Sequence, residues 1–270
     1  MRINDLFINA QLNNRKLFIP YLTCGDPDLE TTKALIRELV KTGADIIELG
    51  VPFSDPIADG EINQRSAMRA LKNQITLKMC CELIAILRSE NITIPIVLFT
   101  YFNPVLQIGL NDFSHLANQS GIDAVLVVDL PFEESIEINS ALDKQQVGNI
   151  RLISPTTSVQ RLRGSATMKP EFLYYISRPG VTGTQSALSD SLADEVSNLR
   201  IHTRLPIAVG FGITTPAQAA RVATFADGVI VGSALVQHLG IEDCSIRMNT
   251  IIELANAFNT AIKTHESLTQ

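Results

Sequence analysis

The sequence predicts an α/β protein whose fold is a (β/α)8 TIM barrel with an extra helix at its amino terminus. Three observations favour this fold class. Short apolar runs rich in β-branched residues recur along the chain, amphipathic segments lie between them, and the runs number eight. Strands that are apolar on both faces and alternate with helices form a parallel sheet covered on both sides. A count of eight favours a closed barrel over an open sheet.

The elements follow one another in a regular order. The first segment between strands places Leu35, Leu39 and Val40 on one helical face, and Gly43 is a stop signal. A further helix is expected over 2–13, where it would cover the amino-terminal mouth of the barrel. The predicted strands are 16–22, 44–50, 94–100, 123–129, 148–154, 172–177, 205–210 and 227–233.

Bulk properties exclude several function classes. No linker or change of composition divides the 270 residues, so 1–270 is expected to form a single barrel domain. The net charge is −6 and no basic block is present, which disfavours nucleic acid and anionic membrane surfaces as partners. The apolar runs are strand-length, and the amino terminus lacks a continuous signal-peptide core, so a cytoplasmic protein is expected. The four cysteines show neither metal nor disulfide spacing.

The stretch "ELGVPFSDPIADG" (48–60) carries the most informative carboxylates. Strand alternation places Ile46, Glu48 and Gly50 on one face, and the opposite face is uniformly apolar. Glu48 is therefore expected inside the barrel near the carboxyl ends of the strands, where barrel active sites lie. Burial there would raise its pKa, as a general acid or base requires. Solvated strand-end and turn carboxylates are the alternative interpretation for Glu48 and Asp59.

Aromatic residues are expected around Glu48 in the upper barrel. Tyr21, Phe99, Tyr101 and Tyr174 fall at the ends of other strands, where they could form a slot for a flat aromatic substrate. Plain filling of the barrel would suit Phe99 equally well. It suits three tyrosines less well, since each buried hydroxyl needs a partner.

Glycine-rich loops follow the last three strands, as "GVTG" (180–183), "GFGI" (210–213) and "VGSA" (231–234). Exposed backbone amides after the seventh and eighth strands form the usual phosphate site of such barrels. The four histidines lie in helical stretches or the tail, so no metal site is expected, and no lysine ends a strand, which disfavours a Schiff base. Two acids beside a phosphate site therefore indicate proton-transfer chemistry.

These motifs resemble those of the tryptophan synthase alpha subunit family. Besides "ELGVPFSDPIADG", the resemblance is carried by "FIPYLTCGDP", "YFNP", "VLVVDLPFEE", "SRPGVTG" and "VGFGI", and it spans nearly the whole chain. It implies a (β/α)8 barrel that cleaves indole-3-glycerol phosphate into indole and glyceraldehyde 3-phosphate. It also implies an αββα heterotetramer in which a beta subunit, carrying pyridoxal phosphate, receives the indole. No cofactor is implied for this chain.

The matching motifs also assign residue roles by resemblance. Glu48 and Asp59 would be the catalytic pair, and Tyr174 would line the substrate slot. The phosphate would be surrounded by Thr182, Gly183, Phe211, Gly212, Gly232 and Ser233.

Two residues depart from the family pattern in the loop that carries Asp59. Glu61 stands where proline is usual, and Asn63 where an aliphatic residue is usual. These departures bear on affinity for the beta subunit, not on the reaction. Two alternatives stay open: a stand-alone lyase that releases free indole, and a non-catalytic barrel that binds a phosphate ligand and activates a partner.

Overall fold

A computed structural model of the protein describes residues 3–176, 185–210 and 212–264, without the side chains of 185–190. All paired strands in this part are parallel, in the order β5-β4-β3-β2-β1-β9-β8-β7-β6. The strands are Leu17–Thr23 (β1), Ile47–Gly50 (β2), Ile96–Thr100 (β3), Ala124–Val127 (β4), Gly148–Asn149 (β5), Arg151–Ile153 (β6), Leu173–Ile176 (β7), Ile207–Gly210 (β8) and Gly228–Val231 (β9).

The fifth strand position corrects the prediction. The run 148–154 was expected to be one strand, but it forms β5, which pairs with β4, and β6, which pairs with β7. Ile150 lies between them and donates its N–H to the Val125 carbonyl at 3.0 Å. The chain changes hydrogen-bonding partner at this residue, so neither ladder extends through it. The two short strands together occupy one strand position of the sheet, so the number of strand positions is still eight. The predicted barrel is confirmed.

Helices separate most of the strands. The first interstrand helix begins at Asp28, whose carboxylate accepts the Thr31 N–H at 2.7 Å, and ends before Gly43, whose φ is +84°. No helix in the described ranges combines the length and apolar character that a bilayer span requires. The helices are Ile3–Leu12 (α1), Leu29–Lys41 (α2), Glu61–Lys72 (α3), Leu77–Ser89 (α4), Phe102–Ile108 (α5), Leu110–Gln119 (α6), Ile136–Lys144 (α7), Val159–Thr167 (α8), Gln185–His202 (α9), Pro216–Ala223 (α10), Ser233–Val236 (α11) and Cys244–Lys263 (α12).

Helix α1 covers the amino-terminal mouth of the barrel, as predicted. Its buried face consists of Ile3, Phe7 and Ala10, which belong to the same apolar cluster as the residues inside the barrel. The Phe7 ring lies 5.1 Å from that of Phe172, centroid to centroid. The Asn4 N–H donates to the Glu171 carboxylate at 2.7 Å. The lower end of the barrel is therefore closed by packing.

Strand alternation divides the apolar residues between two clusters. On β2, Ile47 and Leu49 face outward and pack in the large cluster formed with the helices, while Ile46 belongs to the interior cluster. Glu48, which alternates with the outward pair, is 2% exposed. The hydrogen-bonding register places it beside Tyr21 of β1. The fold thus places this carboxyl group inside the barrel, towards its carboxyl-terminal end.

Candidate active site

A cavity of about 330 Å³ opens at the carboxyl-terminal end of the barrel. Its lining brings together residues that are far apart in the sequence and come from most of the strands. Eight residues singled out in the sequence are among them: Tyr21, Glu48, Asp59, Phe99, Tyr174, Gly212, Gly232 and Ser233.

Glu48 is the buried acid of this cavity. Its Oε2 atom has no hydrogen-bond partner among the described residues, although it is shielded from solvent. Burial raises the pKa of the Glu48 carboxyl to about 8, and the nearby negative charge of Asp59 adds to the effect. At neutral pH this group therefore holds a proton, and nothing in the described part of the chain competes with a ligand for that oxygen.

Asp59 reaches the cavity from the loop after β2. Its carboxylate accepts a hydrogen bond of 2.7 Å from the Tyr101 hydroxyl, which in turn accepts the Ala58 N–H at 3.1 Å. Burial raises the pKa of Asp59, and the side chains of Tyr101 and Asn63 oppose that rise. The loop beyond it is anchored where the Gln64 amide donates to the Asp59 carbonyl at 2.8 Å.

Tyr101 occupies a different place from the other predicted slot residues. It follows β3, lies behind Asp59, and packs its ring 5.1 Å from that of Phe53. Its contact with the cavity is made through the Asp59 carboxylate. Tyr21 and Phe99, by comparison, both line the cavity and pack edge to face at 5.4 Å.

Two inward-facing glycines make room for the tyrosine hydroxyls. A Cβ atom at Gly50 would lie 2.2 Å from the Tyr21 hydroxyl oxygen, and one at Gly210 would lie 2.6 Å from that of Tyr174. Neither distance is compatible with a side chain. The glycines at the ends of β2 and β8 therefore determine where the two phenol groups lie.

Several lining residues were missed by the sequence analysis. Val128, Leu152, Ile176 and Ile230 form apolar walls, and Ile213 adds to them from the loop after β8. Extending the strand alternation would have found the first four. Val128, Leu152 and Ile176 follow the interior residues Leu126, Ile150 and Tyr174 at two-residue spacing, and Ile230 precedes Gly232 by the same spacing.

Asn63 of α3 also lines the cavity, and its Oδ1 atom is buried without a partner among the described residues. The aliphatic residue expected here from the family motif would offer no hydrogen-bonding group. Asn63 was noted in the sequence only as a departure at the partner-facing loop, so its place in the cavity is a finding of the structure.

Two of the glycine-rich loops, those after β8 and β9, line the cavity through Gly212, Ile213, Gly232 and Ser233. Gly212 has φ of +72°, and no atom of the described residues lies within 4 Å of the position of a Cβ there. Gly232 and Ser233 begin the short helix α11 beside it. The other residues assigned to the phosphate, Thr182, Gly183 and Phe211, lie outside the described residues.

The sequence matches the family model described as "Tryptophan synthase alpha chain" over residues 7–264. The chain belongs to the tryptophan synthase alpha chain family. It is 48% identical to the alpha chain of Citrifermentans bemidjiense over 237 residues, which cover 88% of each chain. It is 41% identical to that of Nitrosomonas europaea over 272 residues, covering 100% of this chain and 99% of the other.

Solved structures of this family have the same fold. Subunit alpha from Legionella pneumophila superposes with a TM-score of 0.88 at 35% identity, covering 97% of this chain and 98% of the other. A Mycobacterium tuberculosis tryptophan synthase structure gives a TM-score of 0.86 at 30% identity, with 97% and 98% covered. Members of the family cleave indole-3-glycerol phosphate to indole and glyceraldehyde 3-phosphate, and their partner is the beta subunit. The chain is a lyase of tryptophan biosynthesis.

Proposed function

We propose that Glu48 and Asp59 carry out the cleavage of indole-3-glycerol phosphate as a pair of carboxyl groups with different tasks. The observation that carries this proposal is the burial of Glu48, which holds its pKa at about 8, beside a second carboxyl group in one cavity. Two carboxyl groups in different environments titrate apart, which allows one to act as an acid while the other stays ionised.

The first step is protonation of the indole ring. Glu48, protonated at neutral pH, donates its proton to C3 of the ring, and the electron pair of the C2–C3 double bond forms the new C–H bond. The ring nitrogen then shares its lone pair with C2 and becomes positive. Asp59, ionised, stabilises that charge, while Tyr101 holds its carboxylate in place.

The second step breaks the carbon–carbon bond. The Glu48 carboxylate takes the proton of the glycerol hydroxyl next to C3, and a carbonyl group forms as the bond to C3 breaks. The released electron pair restores the indole ring and neutralises its nitrogen. The products are indole and glyceraldehyde 3-phosphate, and Glu48 regains its proton.

Substrate placement follows from the rest of the cavity. The apolar walls and the Tyr21, Phe99 and Tyr174 rings suit the indole, and the backbone amides of Gly212, Gly232 and Ser233 suit the phosphate. Family motifs extend this phosphate site to Thr182, Gly183 and Phe211. Tyr101, predicted for the slot from its position at the end of a strand, would act on the substrate through Asp59.

We further propose that the chain, as one barrel domain, works in the cytoplasm within an αββα heterotetramer. It would hold no cofactor of its own and pass indole to a beta subunit that carries pyridoxal phosphate. The beta subunit as family partner supports this assembly. A stand-alone lyase would have the same barrel residues, so the partner must be tested directly.

The catalytic assignment is tested with the Asp59→Asn variant. It should release indole at least 10²-fold more slowly, because a neutral amide cannot stabilise the positive ring nitrogen. Its affinity for glycerol phosphate, measured by calorimetry, should stay within a few-fold of the wild type. If the variant lost its affinity for glycerol phosphate together with its activity, Asp59 would be identified as a binding residue.

The partner is tested by measuring indole release with and without an added beta subunit. The rate of indole release should rise at least tenfold when the beta subunit is added. The chain should also copurify with a PLP protein. By linkage, substrate analogue should tighten the complex by the same factor as the complex tightens the analogue. Equal rates with and without the beta subunit would favour the stand-alone lyase.

A further inference from the structure

A second cavity, of about 260 Å³, lies beside the first at the carboxyl-terminal end of the barrel. It is bounded by the loop after β4 (residues 128–132) and by the segment from β6 to α8 (residues 151–165). Val128 and Leu152 line both cavities, so the second shares a wall with the candidate active site. Nothing in the catalytic scheme above uses this space.

Arg151 forms part of the lining of this second cavity. It alternates with the interior residues Ile150 and Leu152, so its side chain leaves the barrel wall on the outer side. The residue is only 7% exposed. Its Nη2 group donates to the Ser135 hydroxyl and lies 3.2 Å from the Met168 sulfur. Both contacts are with neutral atoms, so neither balances the charge of the guanidinium.

The rest of the Arg151 guanidinium has no partner among the described residues. Its Nε is buried without a hydrogen bond, and Nη1 makes none to that part of the chain. Burial lowers the pKa of Arg151 to about 10, and no carboxylate of the described residues acts against the shift. A buried cation without a counter-charge destabilises a fold, because desolvation is not offset by an ion pair.

The other charged groups around the cavity do not neutralise Arg151. Arg161 forms a two-point ion pair with Glu133, through Nε at 2.8 Å and Nη2 at 2.9 Å, and both side chains are about half exposed. Asp129 is exposed at the rim, where its Oδ1 atom accepts the Phe102 N–H at 2.8 Å. Neither carboxylate comes within ion-pair distance of Arg151 in the described part of the chain. The described residues around the cavity therefore provide no negative charge to balance that of Arg151.

We propose that this cavity is a binding site for a small oxyanion, phosphate or carboxylate in class, with Arg151 as its charged anchor. The free guanidinium nitrogens of arginine match the oxygen spacing of both groups. Ser154 and Thr157, on the loop after β6, add hydroxyl groups to the lining. The apolar residues Leu130, Pro131 and Phe132 exclude water from one side and strengthen the contact.

Binding there would connect two loops through their shared ligand. An anion on Arg151 contacts the loop after β4 on one side and the loop after β6 on the other, next to the wall formed by Val128 and Leu152. Occupancy would therefore stiffen one side of the substrate cavity without entering it. The site is an effector site, separate from the glycine-rich loops at the phosphate subsite.

The test must separate this site from the phosphate subsite. The Gly212→Asp variant places a carboxylate in that subsite, so it should abolish phosphate binding there. Inorganic phosphate is titrated into this variant and into the Gly212→Asp, Arg151→Met double variant at constant ionic strength, with calorimetry and ³¹P line width as readouts. The single variant should still bind one phosphate. The double variant should bind it at least tenfold more weakly.

The controls determine the source of any change. Arg161→Met should weaken binding less than Arg151→Met, because Arg161 is already paired with Glu133. If Arg151→Met does not fold, Arg151→Lys keeps the charge but loses the two-point geometry and should weaken binding by a smaller factor. Titration with acetate in place of phosphate shows whether the site also binds carboxylates. Loss of all phosphate and acetate binding in Gly212→Asp alone, or unchanged binding on substitution of Arg151, would overturn the proposal.

Discussion

The lower and upper halves of the barrel interior are built on the same strands and differ in what they contain. The lower half is filled by large apolar side chains and closed by α1. The upper half, two residues further along each strand, leaves a cavity of about 330 Å³ that holds a buried carboxyl group. The pairs, lower residue first, are Ile19 and Tyr21, Ile46 and Glu48, Val97 and Phe99, and Phe172 and Tyr174.

The difference separates stability from function along each strand. The lower layer lowers the free energy of the folded state by removing apolar surface from water. In the upper layer Glu48 has the opposite effect, since its carboxyl group is buried without a partner for Oε2 among the described residues. Substitutions in the two layers should therefore have opposite effects on stability and activity.

The largest effect is expected from Glu48→Gln. The amide cannot transfer a proton, so indole release should fall by roughly 10²–10⁴-fold or more. The variant should meanwhile be more stable at pH 8, because it carries no carboxyl group that must stay protonated in a buried site. A variant that keeps a tenth of the wild-type rate would remove Glu48 from the acid–base role.

The pH dependence of that stabilisation follows from the pKa of Glu48. This pKa is 4.5 in the unfolded chain and about 8 in the folded protein. Between pH 4.5 and pH 8 the unfolded state therefore loses the proton that the folded state keeps. The free energy of unfolding of the wild type should fall as the pH rises through this window, by about 1.4 kcal/mol per pH unit. Urea unfolding at pH 4 and pH 8 measures it. The difference between the wild type and the Glu48→Gln variant should be greater at pH 8.

Phe7→Ala should produce the reverse pattern. Phe7 is fully buried against Phe172, so truncation should lower the free energy of unfolding by about 3–5 kcal/mol. Indole release per folded molecule should change less than twofold, since the upper cavity is untouched. Phe7→Leu serves as the milder control and should cost less. A large loss of kcat in a folded Phe7 variant would contradict the separation of the two layers.

Tyr101→Phe should have an intermediate effect on activity. The Tyr101 hydroxyl donates to Asp59 and lowers the pKa of that carboxyl, so its removal lets the pKa rise. The acidic limb of the kcat/KM profile should move to higher pH, and kcat should drop by about tenfold, in line with loss of a hydrogen bond to a charged group. An unchanged acidic limb would show that Tyr101 has only a packing role.

The smallest effect is expected from Asn63→Leu, which introduces the aliphatic residue expected from the family motif. Asn63 also lowers the pKa of Asp59, so the acidic limb should shift in the same direction as for Tyr101→Phe, but less. Stability should change little, because the variant removes an Oδ1 atom that has no partner among the described residues but also loses the side-chain hydrogen bond to Asp59. Asn63→Gln, which keeps the amide, is the control and should leave the limb near its wild-type position.

The sequence predicted the upper layer where a periodic pattern determined it. Two-residue alternation oriented Glu48 inward on β2, and the same rule placed Tyr21, Phe99 and Tyr174 beside it; all four line the cavity. The break at Ile150 could not be predicted this way. It arises because the residues on either side of Ile150 pair with different neighbouring strands, and the local sequence does not record which neighbour each residue meets.

Contacts between loops could not be predicted from the sequence either. Tyr101 was expected in the slot, and its actual partner, Asp59, is 42 positions away on another loop. In the sequence, no motif or spacing distinguishes Arg151 from other charged residues in strands. Its burial and missing counter-charge depend on where α7, α8 and the loop after β4 lie around it.

The two glycines beneath the tyrosine hydroxyls have a consequence for how this barrel can change by mutation. Alanine at Gly50 would overlap the hydroxyl oxygen of Tyr21, which is itself packed edge to face on Phe99. Removing that oxygen alone, as in Tyr21→Phe, would leave the ring carbons Cζ and Cε2 at 2.6 and 2.8 Å from the methyl group. A methyl group at residue 50 therefore requires that the aromatic ring at residue 21 be lost or displaced first, and the opposite order passes a poorly folding intermediate. Gly210 and Tyr174 form a second such pair, with ring carbons at 2.9 Å, so the two residues of each pair should change together in evolution.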